Sequence, residues 1–296
     1  MMRVILVFIM LILFSPPISA QTNTIDDRVI GNEKSPLIVQ RNDPLSYDKN
    51  LLILRKPKLF TAYATPSVQY TDNAFLSPSN RNSDFVTSFT SGVDFNLKMQ
   101  RNIGVNAGIS ASRYDYKDNS NLGYNSFQGN LGISTQYKNW TGLITYAPTV
   151  VFEKDFDNRS ITLNRFSAMG IKNKVYWSRL LFSSYAATHY IKSNPDEFSY
   201  LQFDSGIRAL YPINDKWRIS INPHLYQKTY DDFFEDQTGG QRSDIGIRLG
   251  TNLSFTPKEN MNFSLSLNYV RNKSSLDSSN YTVRSAAPAV RFSYRF

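Results

Sequence analysis

Phe60-Thr61-Ala62-Tyr63-Ala64-Thr65-Pro66-Ser67-Val68-Gln69-Tyr70-Thr71 places apolar residues at even positions and mostly polar ones at odd positions. Successive side chains of a strand point to opposite faces, so a period of two describes a strand with one apolar face. Ordinary strands run about 5–6 residues, whereas one that crosses a bilayer needs about 9–11. A dozen alternating residues is therefore the length of a transmembrane strand.

The pattern recurs downstream. Phe85, Phe89, Val93, Phe95 and Leu97 oppose Asp84, Ser88, Asp94, Asn96 and Lys98. Ile103, Val105, Ala107 and Ile109 follow, then Phe127, Leu131, Ile133 and Tyr137, then Trp140, Ile144, Tyr146 and Val150. Two blurred strands cover 161–171 and 175–191. Clean alternation returns around Phe203, Ile219, Leu249, Leu265 and Phe292. Together the runs predict an all-β chain: a transmembrane antiparallel up-and-down β-barrel of about twelve strands over residues 58–296.

The connections point the same way. Short turns are expected at 99–102, 138–139, 172–174, 212–216 and 257–260. Longer polar loops alternate with them at 73–83, 117–123, 153–160, 192–198, 231–242 and 272–280. Outer-membrane barrels have short periplasmic turns and longer outer loops. The first connection is long, which places both termini in the periplasm and the chain in a Gram-negative outer membrane. A secreted soluble β-sandwich explains alternation but not this rhythm, nor the aromatics Trp140, Tyr211, Trp217 and Phe255 beside the short turns.

Upstream, Arg3 followed by an apolar run over 4–14 and a small residue at Ala20 reads as a cleaved signal peptide, residues 1–20. That run is too short for a membrane helix. Residues 21–57 are polar and irregular, a periplasmic leader or a plug for the lumen.

Composition agrees once the architecture is considered. Mean hydropathy is −0.37, which would suit a soluble protein, but a barrel hides its apolar surface in alternate residues. Aromatic residues reach 14%, as girdles at two membrane interfaces require. The absence of cysteine excludes disulfides, thiolate metal sites and a lipid-anchored N-terminus. The net charge of +9 suits lipopolysaccharide, an anionic solute or an acidic polysaccharide. No Lys/Arg run is dense enough for a nucleic-acid partner.

Val290, Phe292, Tyr294 and the terminal Phe296 carry alternating apolar and aromatic side chains. This segment resembles the C-terminal signal read by the outer-membrane barrel assembly machinery, and an exposed strand edge can pair by strand addition. The first hairpin, with Asp72-Asn73-Ala74-Phe75 followed by Ser83-Asp84-Phe85 and then Tyr114-Asp115-Tyr116, resembles an outer-membrane β-barrel porin family associated with exopolysaccharide export loci. The resemblance covers about residues 59–296, with 66–85 its distinctive part. It implies a barrel with a role in transport or export and brings no binding residues with it.

Chemistry on this scaffold would need a nucleophile and a base. The two histidines, His189 and His224, lack the neighbours of a barrel phospholipase. A strand histidine of this kind is expected to be structural or interfacial, and no enzyme, metal or cofactor is expected. An acidic cluster at Asp231, Asp232, Glu235 and Asp236 reads as a solvated loop.

The candidate functional residues are those charged at the polar parity: Asp84, Asp94, Lys98, Asp204, Arg208, Arg218, Asp244, Arg248 and Arg291, joined by Lys228 and Arg295. A charge on the lipid face costs about 2–4 kcal/mol near the midplane, so parity assigns them to the lumen. They either brace the wall by pairing or line a solute path, with a basic lean on the C-terminal side. Two functions follow: a porin-like channel for solutes or polysaccharide, or an anchoring barrel that holds a periplasmic or surface partner without conducting.

Overall fold

The computed structural model describes residues 59–296, except 79–80, 101, 157–158, 177–178 and 232–240. The expected signal segment 1–20 and leader 21–57 lie outside the described residues. Twelve strands follow one another: β1 (Phe60–Thr71), β2 (Asp84–Gln100), β3 (Ile103–Tyr116), β4 (Tyr124–Tyr137), β5 (Trp140–Glu153), β6 (Arg159–Tyr176), β7 (Leu180–Asn194), β8 (Tyr200–Pro212), β9 (Trp217–Tyr230), β10 (Ser243–Lys258), β11 (Met261–Ser274) and β12 (Tyr281–Arg295). Each pairs antiparallel with its neighbours, and β1 meets β12 to close the barrel. The terminal residue completes the seam: Phe60 N–H donates to the Phe296 carbonyl at 3.1 Å, and Phe296 N–H returns to the Phe60 carbonyl at 3.0 Å. Among the described residues the only helical pieces are single 3-10 turns in the long loops.

A closed barrel leaves no backbone group unpaired in hydrocarbon, which is why sequences of this pattern close. The wall is one sheet thick, so a buried side chain lies inside it and an exposed apolar one outside. Phe60, Phe89, Leu131, Ile221, Leu249, Leu265 and Phe292 are all exposed. Ile109 at 69% and Ile144 at 68% exposed are at levels that only a lipid surround makes reasonable. At the short-turn end the Trp217 and Phe255 rings stack at 4.6 Å, part of an aromatic girdle.

The sequence placed one turn wrongly. Residues 172–174 are not a connection but belong to β6, which runs on to Tyr176. Lys172 and Lys174 are exposed side chains at the membrane-boundary end of that strand. Inward Ile161, Leu163, Met169 and Ile171 set against outward Thr162, Asn164, Lys172 and Lys174 upset the usual contrast of faces on β6, which is what blurred its period.

Glycines on the inner face give room to tyrosines of the adjacent strand. A Cβ on Gly92 would lie 2.7 Å from the Tyr63 hydroxyl, and one on Gly246 would fall inside the Tyr226 ring. Each tyrosine lies across the bare backbone of the adjacent strand, giving an aromatic cover to a residue with no side chain of its own.

Candidate functional site

The lumen and its mouth at the long-loop end form the candidate site. The register sets inward side chains of β6–β10 in rows: Ser167, His189, Gln202, Lys228 and Asp244 in one, and Tyr185, Gly206, His224 and Arg248 in another nearer the short turns. Asp204 lies between these rows, and Arg208 one step further toward the short turns, where it pairs with Ser183.

His189 is not alone. Its Nδ1 is 2.8 Å from the Ser167 hydroxyl and its Nε2 is 3.0 Å from Asp204 Oδ2. Gln202 Nε2 donates to the same carboxylate oxygen at 2.6 Å. The composition is that of a Ser-His-Asp relay, but an acyl-transfer site also needs donors for an oxyanion. The backbone at Ser167 is paired on both sides, with β5 and β7, and offers none. The network joins β6, β7 and β8 through polar side-chain contacts.

The other expected lumen residues divide by height. Asp84 is 1% exposed and fastens the loop above it, accepting from Asp118 N–H at 3.1 Å, Asn119 N–H at 3.1 Å and Asn119 Nδ2 at 2.8 Å. Asp244 is held by Arg242 at 3.0 and 2.8 Å, whose guanidinium lies 4.4 Å from the Tyr230 ring centre. Both belong to the closure at the long-loop end. Lower down, Arg291 approaches Asp94 at 3.8 Å and lies 4.0 Å from the Tyr63 ring centre, crossing β1 on the inside. Arg208 is buried, Arg218 and Arg248 are half-buried, and Lys98 is exposed at the short-turn end. Among atoms with no partner are Asp204 Oδ1, Asn222 Oδ1, His224 Nδ1 and Arg248 Nε, all on the β8–β10 wall.

The sequence reading missed the stopper at the long-loop mouth. The connection after β1 turns inward, so that Asn73 and Ala74 are fully buried and Leu76 is 2% exposed. Ala74 packs with Val86, Tyr116, Leu122, Val151 and Ile161, with Phe75 against the same group. Leu76 crosses to the other wall and packs with Tyr226, Val270, Tyr281 and Val283. Leu163 links the first group to Ile191, Tyr200 and Tyr230, so an apolar layer spans the mouth. The loop is pinned from β12: Asp72 N–H donates to the Arg284 carbonyl at 3.1 Å, and Asn73 Nδ2 donates to the Thr282 carbonyl at 3.1 Å. The motif Asp72-Asn73-Ala74-Phe75 thus gives two fasteners followed by apolar filler. The signal that could have found it is that inward positions turn apolar toward the long loops, as at Val86, Tyr114, Val270 and Val283.

No protein-family model and no curated relative matches the chain. Among solved structures it is similar to an outer membrane channel from Pseudomonas putida F1, with a TM-score of 0.55, 10% identity, and coverage of 81% of this chain and 96% of that one. It also matches the KdgM porin solved in complex with disordered oligogalacturonate, at a TM-score of 0.45 and 8% identity over 78% of this chain and 99% of that one. The NanC porin matches at a TM-score of 0.45 and 11% identity over 77% of this chain and 98% of that one. At these identities the likeness concerns the fold: the chain is a closed twelve-stranded transmembrane barrel of the kind on which outer-membrane channels are built.

Proposed function

We propose that this chain is an outer-membrane channel for anionic solutes or acidic polysaccharide, with both termini periplasmic and its outer mouth held shut by its own first loop. The observation that carries the reading is the segregation of charge: Arg165, Arg208, Arg218, Arg248 and Arg291 occupy inward positions behind a wall whose other face is apolar. Twelve strands enclose more space than eight, which side chains fill, and less than the sixteen of a wide porin. In a bore of that size, fixed charges dominate the field and set ion selectivity. Asp94 and Asp204 offset part of the basic charge, so anion preference is modest. The resemblance of the first hairpin to porins of exopolysaccharide loci supports a polysaccharide as cargo.

The same stopper gives the second reading its support: a barrel permanently shut at the top anchors a partner and conducts nothing. Reversal potentials across a planar bilayer under a salt gradient separate the two. The channel reading expects anion preference in the parent protein and a clear reduction when Arg208 and Arg248 are both changed to Ser. A parent protein that never conducts would favour the anchor, whereas reversal potentials unchanged in the double variant would remove these arginines from selectivity.

A further inference from the structure

The outer wall of β4–β7 carries a trough with no part in the lumen. On the lipid side the register sets Thr135, Gly142, Gly170 and Ala186 in one row. Toward the long loops lies the row Ile133, Ile144 and Ala168, then Leu131 beside Tyr146 and Phe166, whose rings stack at 4.8 Å. Toward the short turns lies the row Tyr137, Trp140 and Lys172. Small residues between two rows of bulky ones leave a cavity of about 340 Å³ lined by Ile133, Thr135, Gly142, Ile144, Ala168 and Gly170. A Cβ on Gly170 would meet nothing within 4 Å, so the floor is open space. An apolar hollow facing hydrocarbon loses dispersion contacts unless a chain fills it.

The rim is basic. Lys172 Nζ lies 5.2 Å over the Trp140 ring and Lys138 Nζ 5.4 Å over the Tyr137 ring, which holds both ammonium groups at the aromatic boundary. Lys174 is exposed just beyond. The segments 98–102, 136–141 and 172–176 contain no Asp or Glu, so no acidic group in them neutralises this side of the rim.

We propose that the trough seats an anionic phospholipid, its phosphate between Lys138 and Lys172 and one acyl chain on the Gly142–Gly170 floor. Basic clusters at the membrane surface recognise anionic headgroups in this way. A second copy of the chain is a poorer occupant: two-fold-related copies inserted in the same direction would set their lysine rims face to face. The proposal rests on the membrane placement of the barrel and not on its conductance.

The test uses Trp140 as the reporter. Trp177→Phe and Trp217→Phe leave it as the sole tryptophan of the three in the chain. The protein is reconstituted in phosphatidylcholine vesicles doped with brominated phosphatidylglycerol or with brominated phosphatidylcholine. Phosphatidylglycerol is expected to quench Trp140 at a several-fold lower mole fraction. Lys138→Gln with Lys172→Gln should abolish the preference. So should Gly170→Leu, whose side chain enters open space and leaves the strand pairing intact. Heat-modifiable gel migration checks that both variants fold. Equal quenching by the two lipids in the parent, a preference that survives Gly170→Leu, or a disulfide-linked homodimer formed by Gly170→Cys would each overturn the proposal. A silent barrel that still selects phosphatidylglycerol would sink the channel reading and leave this one standing, and a conducting barrel without lipid preference would do the reverse.

Discussion

Leu76 sits in the left-handed region at a φ of 53°, an arrangement that costs a non-glycine residue about 1–2 kcal/mol. Its burial against Tyr226, Val270, Tyr281 and Val283 outweighs that cost. The stopper is therefore held at a cost in backbone strain, which suits the movement that the proposed channel requires of it. Leu76→Ser removes the apolar side chain and keeps the strain. A core deletion of this size costs about 2–5 kcal/mol, and each 1.4 kcal/mol is about tenfold in an equilibrium, so openings in single-channel records should become at least tenfold more frequent. Asp204 offers a different test. Asp204→Asn removes the negative charge from the one oxygen that meets both His189 and Gln202. Hydrogen bonds to charged groups contribute about 1.5–3 kcal/mol, so the variant should lose its heat-resistant gel mobility at a lower temperature while still inserting. Neither role was legible beforehand. Histidine parity showed that His189 faces inward, but its partners come from strands about 15–22 residues away in sequence, and only closure brings them together.

At the scale of the strand, alternation was legible wherever one face met lipid and the other met water. It failed on β6, where Ile161 and Ile171 face inward and Thr162, Asn164 and Lys172 face outward, and with it went the position of the next turn. The seam between β1 and β12 shows what alternation does not report. Its register is constant, yet the paired rungs skip from Ala64↔Phe292 to Ser67↔Ala289 and from there to Tyr70↔Ala286. Pro66 and Pro288 fall in those two gaps, and neither has a backbone N–H to give. On its other side Pro66 lies in an unbroken run of pairs with β2. Changing Pro66 and Pro288 to Val should restore rungs at about 0.5–1.5 kcal/mol each and raise the unfolding midpoint in urea. An unchanged midpoint would mean that the gaps are set by the sheet's coiling and not by the prolines.

For the whole molecule, twelve strands, their order and their inward parity follow from period and loop rhythm, because lipid and water impose opposite preferences on alternate residues. Spin labels at Phe89, Leu131 and Leu265 are expected to report lipid, and labels at Asn96, Asn130 and Ser266 a polar interior; indistinguishable sets would mean a wrong register. What the period could not reveal is the mouth. Inward apolar residues on β2, β3, β5, β6, β9, β11 and β12 make sense only when a closed wall brings them to one level and the loop carrying Ala74 and Leu76 drops among them. The channel account therefore stands on whether that loop governs passage. The chain has no cysteine, so Leu76→Cys with Val283→Cys creates a single lockable contact within one apolar cluster. Single-channel current through this variant is the direct measurement. The oxidised barrel should be silent, and reduction in the same bilayer should restore openings that favour anions. Equal current before and after reduction, or silence in both states, would contradict the account.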